Sequence, residues 1–289
     1  MKRFKKVFVE ITNACNLNCS YCSTWERKTE FISPESFQHL LTEIAPFSDY
    51  VYLHVKGEPF LHPELPTLLK QCHDKNIQVN ITTNGTLINN VKETLLSEPA
   101  LRQINFSLHS FDLTQSSQNK RQSVLDILSF TKEALAKTRI YISLRLWNLN
   151  KNRSPEEIEK NKPIFSLLET ELNLPYKIED KLIDGSSIKL FDHLYLNFDN
   201  EFRWPSLADE EIGDHGFCHA LRDQVGILVD GTVVPCCLDG DGVVNLGNVY
   251  RQSLESIVDS ERARKIYEGF SDNKAVEPLC RKCSFKERF

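Results

Sequence analysis

Three cysteines, Cys15, Cys19 and Cys22, fall within the eight residues Cys15-Asn16-Leu17-Asn18-Cys19-Ser20-Tyr21-Cys22, and the apolar run Val7-Phe8-Val9-Glu10-Ile11 leads into them. This C-x3-C-x2-C loop constrains the chain more than any other feature. Three thiolates so spaced can hold three irons of a [4Fe–4S] cube and leave the fourth iron open to a substrate. A fourth thiolate would close the cube to electron storage alone. Zinc prefers paired C-x2-C knuckles and a fourth ligand close by, whereas the next histidine is His39. A disulfide framework needs an exported chain, and Met1-Lys2-Arg3-Phe4-Lys5-Lys6 precedes the first strand with no signal peptide between.

Strand and helix signals alternate over the first 200 residues. Strands are predicted at 5–12, 50–55, 77–82, 103–108, 140–146 and 194–198. Helices are predicted from Ser33-Pro34-Glu35 to about 45, from His62-Pro63-Glu64 to about 76, at 90–97, at 121–137, and from Ser154-Pro155-Glu156 to about 172. Six βα units with parallel strands give an α/β chain built as a partial (β/α)6 TIM-like barrel. In such barrels the working residues lie on loops after the strands, where the three cysteines and Gly57-Glu58-Pro59 fall. Residues 173–217 read as the barrel's end and a connector, with Asp184-Gly185-Ser186-Ser187 and Arg203-Trp204-Pro205 in it. A hairpin follows, 225–229 and 232–234 around Asp230-Gly231, then two helices at 253–259 and 261–269. The expected domains are 1–200, the barrel, and 201–289, a connector with a small hairpin-plus-helix metal region.

Composition narrows the partners. Apolar residues make up 40% of the chain, enough for a barrel core, and their runs are strand-length, so no membrane span is expected. The net charge of −5, with basic residues concentrated only at 2–6, argues against nucleic acid. Eight of nine cysteines are grouped and Cys72 stands alone as a small apolar residue, which with no export signal points to a reducing, cytoplasmic setting. The second group is Cys218, Cys236, Cys237, Cys280 and Cys283. Four of these thiolates would close a metal site, and the sequence alone leaves iron–sulfur and a zinc ribbon both open.

The first loop resembles the signature of radical S-adenosylmethionine (SAM) enzymes, including an aromatic, Tyr21, just before the third cysteine. Their Gly-Glu-Pro-type motif after the second strand is similar to Lys56-Gly57-Glu58-Pro59, with Lys56 where a glycine is common. The spacing Cys218, Gly231, Cys236 and the closing Cys280-Arg281-Lys282-Cys283 resemble a shortened SPASM, or twitch, domain. The resemblance implies an open [4Fe–4S] cluster on Cys15, Cys19 and Cys22 that binds SAM. It implies one auxiliary [4Fe–4S] cluster on Cys218, Cys236, Cys280 and Cys283, and the chain's end at Phe289 leaves room for no second one. Cys236 is preferred to its neighbour Cys237 because it completes the family spacing. Expected SAM contacts are Gly57, Glu58 and Pro59, then Asn84 beside Thr83, and Ser107, His109 and Arg145. An arginine amid an apolar strand is costly unless it meets an anion.

The expected activity is reductive cleavage of SAM to a 5′-deoxyadenosyl radical that takes hydrogen from a substrate, with the auxiliary cluster accepting an electron. A flavodoxin or ferredoxin is the expected donor. The first strand begins by residue 5, which leaves no place for a leader-recognition domain and tilts the substrate toward a small molecule rather than a peptide. A peptide maturase forming a cross-link, an iron–sulfur electron-transfer or sensing protein without turnover, and a zinc-stabilised binding protein are the alternatives. Trp147, His193, Arg203 and Trp204 are weaker candidates for substrate contact, at the barrel mouth or connector.

Overall fold

The computed structural model describes residues 3–22, 27–114, 118–150, 154–182, 187–201 and 203–288. The chain forms two compact units, residues 1–79 with 202–289, and residues 80–201. The first stretch carries β1 (Lys6–Val9), α1 (Pro34–Ile44), β2 (Tyr50–Tyr52) and α2 (Leu65–Asp74). β3 (Gln78–Thr83) runs from one unit into the other, followed by α3 (Ile88–Ser97), β4 (Leu101–Ser107), α4 (Gln118–Lys137), β5 (Tyr141–Leu146), α5 (Pro155–Glu171), β6 (Ser187–Phe191) and β7 (Leu194–Phe198). Back in the first unit come β8 (Gln224–Ile227), β9 (Thr232–Val234), β10 (Gly247–Asn248), α6 (Leu254–Val258), α7 (Glu261–Ser271) and α8 (Pro278–Arg281). The architecture is mixed α/β with parallel strands, as the alternation predicts.

In the first unit β1 pairs in parallel with β2 on one side and β8 on the other, with Val7 opposite both Val51 and Val225. Val7, Val9, Val51, Val225 and Ile227 are wholly buried, the apolar strand pattern of a sheet covered on both faces. Helix α1 starts at Ser33, whose side chain accepts from the Ser36 N–H, with Pro34 in the first turn where its missing donor costs nothing. Its stripe Phe37, Leu40, Leu41 and Ile44 is buried, and it packs on α2 and α6.

In the second unit β4, β5 and β7 are parallel neighbours, and Ser107 stands opposite Arg145. Ile142, Leu144 and Leu146 of β5 are wholly buried. Ser154 and Glu157 close a capping box at the start of α5.

Three expectations change. Residues 187–191, read as connector, form β6, antiparallel to β7 through a turn in which His193 takes φ 64°; Asp184-Gly185-Ser186 lie outside the described residues. The second strand stops at Tyr52 rather than 55, because the chain turns there, with the His54 N–H donating to the Tyr52 carbonyl. The C-terminal hairpin is no appendage: β8 extends the β1 sheet and β9 and β10 extend it further. That pairing joins residues more than 200 apart in sequence, which no local pattern encodes.

Gly226 is the close point of this extension. A Cβ there would come within 2.7 Å of Val234 Cγ2 and 3.3 Å of the Cys236 carbonyl. Gly226→Ala is expected to destabilise the fold by about 1–3 kcal/mol through overpacking and to lower the melting temperature. An unchanged melting temperature would mean that β9 yields freely.

Candidate functional site

The cysteine loop is tied at both stems. The Thr12 hydroxyl donates to the Glu30 carbonyl, the Asn13 side-chain amide donates to the Lys28 carbonyl, and the Glu30 N–H donates back to Asn13 Oδ1. Within the loop, the Cys22 N–H donates to the Cys19 carbonyl at 3.0 Å, and Tyr21 in that turn is half-buried. Burial pushes the Cys15 thiol up and the Cys22 thiol up to about 11, and repulsion among Cys15, Cys19 and Cys22 adds to it. The thiols of Cys15 and Cys22 therefore favour the protonated form at neutral pH.

Lys56-Gly57-Glu58-Pro59 docks directly on this loop. Gly57 has φ +82°, and a Cβ there would lie 2.3 Å from the Thr12 carbonyl and 2.9 Å from that of Ala14, so glycine alone fits. The Glu58 N–H donates to the Ala14 carbonyl at 2.7 Å. The Glu58 carboxylate is buried and caps the turn at Pro59, accepting from the Phe60 N–H at 3.0 Å.

A second group of predicted residues gathers in the other unit, at the C-terminal ends of β4 and β5. His109 Nδ1 lies 3.1 Å from the Arg145 carbonyl, and its ring stacks on Trp147 at 6.0 Å. The Arg145 guanidinium lies over the same indole at 4.9 Å. Burial holds the imidazole of His109 down at about 4, so it is neutral at ordinary pH. Nδ1 must then carry the hydrogen it donates to the carbonyl, which leaves Nε2 an acceptor. Asn84 stands in an Asx turn, its Oδ1 accepting from the Thr86 N–H and hydroxyl.

The weaker candidates divide. His193 lies where β7 begins, stacked on Tyr141 at the start of β5, and hence at the end of these strands away from the predicted mouth. Arg203 is an exposed partner of Asp209. Trp204 faces the Lys56 ammonium at 5.6 Å.

In the C-terminal region Cys236 follows β9, Cys280 lies on α8, Cys283 one turn beyond, and Cys218 precedes β8. Burial pushes the Cys218 thiol up to about 11 and raises those of Cys236, Cys280 and Cys283. Cys236 interacts electrostatically with Cys218, Cys280 and Cys283 together. Cys237, pushed up to about 12 by burial, packs with Tyr52 against the apolar cluster of Phe8, Val55, Leu228 and Val234. Cys72 is wholly buried on α2.

Residues 9–160 match the family model of the radical SAM superfamily, and residues 218–284 match that of the SPASM iron–sulfur cluster-binding domain. The chain belongs to the radical SAM superfamily. A tungsten-containing aldehyde ferredoxin oxidoreductase cofactor-modifying protein of Pyrococcus furiosus is 24% identical to it, over 98% of this chain and 88% of its own. Among solved structures, BtrN in complex with AdoMet and 2-DOIA superposes with TM-score 0.56 at 14% identity, covering 98% of this chain and 94% of BtrN. Streptococcus suis SuiB bound to precursor peptide SuiA superposes with TM-score 0.59 at 15% identity, covering 97% and 71%. These structures share the fold.

As a radical SAM enzyme with a SPASM region, the protein uses SAM and [4Fe–4S] clusters, one of them auxiliary. The thiols present fit such groups. Thiolates are the ligands such clusters take, and the thiols within each set act on one another electrostatically.

Sequence reasoning passed over Glu10. Its carboxylate is wholly buried; it accepts from Arg27 Nη2 at 2.6 and 2.7 Å, from the Lys56 N–H at 3.3 Å and from the Val229 N–H at 3.2 Å. Burial raises its carboxyl above the ordinary value, opposed by the Arg27 bond and charge. The signal was there to read: an acid in an apolar strand is as costly as the arginine singled out at 145. Glu10→Gln keeps the shape but strips Arg27 of its anion, and is expected to cost on the order of 3 kcal/mol in denaturant unfolding of the metal-free protein. A change under about 0.5 kcal/mol, the size of an ordinary surface substitution, would reduce the pair to a surface contact.

Proposed function

We propose that this enzyme carries out a two-electron oxidation of a small-molecule substrate. The observation that carries the reading is an open set of three thiols and a separate set of four in one chain. Cys15, Cys19 and Cys22 hold the first cluster, and Cys218, Cys236, Cys280 and Cys283 the second. Bound there, the clusters supply the electron that cleaves SAM to a 5′-deoxyadenosyl radical and an acceptor for the electron a substrate radical must lose. A substrate that gives up a hydrogen atom, then one electron and a proton, leaves as a stable oxidised product.

The chain's own residues bind and aim. The Gly57-Glu58-Pro59 loop offers carbonyls to the methionine amino group of SAM, and Tyr21 and Asn84 add contacts. Ser107 and Arg145 supply donors to the carboxylate and ribose. His109, neutral with Nε2 as an acceptor, suits a ribose hydroxyl. The working division is a barrel of residues 1–200 and a connector with auxiliary region of 201–289, supported by family matches at 9–160 and 218–284. A reducing, cytoplasmic setting and a flavodoxin or ferredoxin donor complete the reading. No helix among the described residues is long and apolar enough to cross a membrane.

The likeness to BtrN, solved with AdoMet and 2-DOIA, supports a small molecule, and that to SuiB, solved with a precursor peptide, supports a peptide. That SuiB likeness keeps peptide cross-linking as the second reading. Turnover of a peptide, with none of any small alcohol or sugar, would decide for it.

The test is anaerobic reconstitution followed by reduction and addition of SAM. About eight irons per chain and 5′-deoxyadenosine are expected. Alanine at Cys15, Cys19 and Cys22 together should abolish SAM cleavage and leave about half of that iron; loss of all of it, or none, would contradict two independent clusters. Arg145→Ala should weaken SAM binding at least tenfold, about 1.4 kcal/mol, in equilibrium titration. Unchanged affinity removes Arg145 from the site.

A further inference from the structure

Among the described residues two lysines are buried, Lys56 and Lys286, each 3% exposed. A buried cation costs several kcal/mol unless it is well partnered, and both of these stand at a cysteine set. Lys56 precedes Gly57, whose backbone is pressed on the Thr12–Ala14 segment that leads into Cys15. Its ammonium pairs with Asp241 Oδ1 at 2.6 Å, and Gly240 leaves it room: a Cβ there would come within 2.6 Å of Lys56 Cε. Lys286 donates to the carbonyls of Cys283 at 3.1 Å and Arg281 at 3.3 Å, on the loop that carries Cys280 and Cys283. It too lies under a glycine, with a Cβ on Gly216 falling 3.1 Å from its Cγ.

We propose that Lys56 and Lys286 are potential-setting residues, one for each cluster, whose fixed positive charges make the three-cysteine and the four-cysteine cluster easier to reduce. The proposal rests on the ligand assignment above. A cluster gains negative charge on reduction, so a nearby cation favours the reduced form, more strongly where water is excluded. Within the Lys56–Asp241 pair the lysine side chain is 1% exposed and the aspartate 42%. Solvent therefore screens the carboxylate more than the ammonium.

The test is an EPR-monitored redox titration of the reconstituted protein. In Lys56→Gln the reduced-to-oxidised ratio of the three-cysteine cluster at fixed potential should fall on the order of tenfold, about 59 mV for one electron, with the auxiliary cluster unmoved. Lys286→Gln should do the same to the auxiliary cluster and spare the other. Asp241→Asn should move the three-cysteine cluster the opposite way, by less. A loaded cluster whose potential does not follow its own lysine, or both clusters moving together, overturns the proposal. If Lys56→Gln fails to hold iron, Asp241→Asn decides, and no upward shift overturns it. If Lys286→Gln loses the auxiliary iron, Lys286 is a scaffold residue and that half falls. Failure of the underlying reading looks different: wild-type protein would load about four irons, or zinc.

Discussion

The carboxylate of Glu10 is the contact on which the first unit depends. It is buried at the end of β1, and one charge there draws in three segments from distant parts of the sequence: Arg27 beyond the cysteine loop, the Lys56 N–H before Gly57, and the Val229 N–H at the end of β8. The two backbone N–H groups would otherwise be left unsatisfied by burial, and the Arg27 guanidinium supplies the countercharge to the buried carboxylate. The loop stems, the Gly57-Glu58-Pro59 turn and the C-terminal hairpin are thereby fixed to the same strand end. A loop of eight residues carrying three thiols has little apolar surface of its own with which to hold its shape.

Burial acts on the cysteines in the same direction throughout. Desolvation raises seven of the grouped thiols above their ordinary value, which favours their neutral form in the folded interior. Cys237 packs against an apolar cluster of Phe8, Val55, Leu228 and Val234. Cys236 interacts electrostatically with Cys237, Cys218, Cys280 and Cys283, and Cys237 with Cys218 and Cys283.

Much of this was legible in the chain itself. Strand–helix alternation located most of the elements because each is amphipathic or buried over a length that local pattern reveals, and Ser33-Pro34 and Ser154-Pro155 marked two helix starts by capping chemistry. The cysteine spacings and Gly57 were legible because thiols and a left-handed glycine have few other uses in such loops. What was missed has a common cause. Strand β6 is short and only one of its residues is buried, so it shows weak alternation. The parallel pairing of β8 with β1 is a contact between the two ends of the chain, and His193 was misplaced because its neighbour in space, Tyr141, belongs to another strand.

The sequence by itself determined the class of fold, the two thiol sets and the family chemistry, because spacing along a loop and periodicity along a strand are local properties carried by consecutive residues. Tertiary structure alone decided that Glu10 joins three segments, that Lys56 and Lys286 are buried, and that Ser107, His109, Arg145 and Trp147 gather at two strand ends. Those outcomes depend on burial and on partners far away in sequence. A charge costs little in water and several kcal/mol in an interior, and only the folded chain fixes which of its many charges must meet that cost.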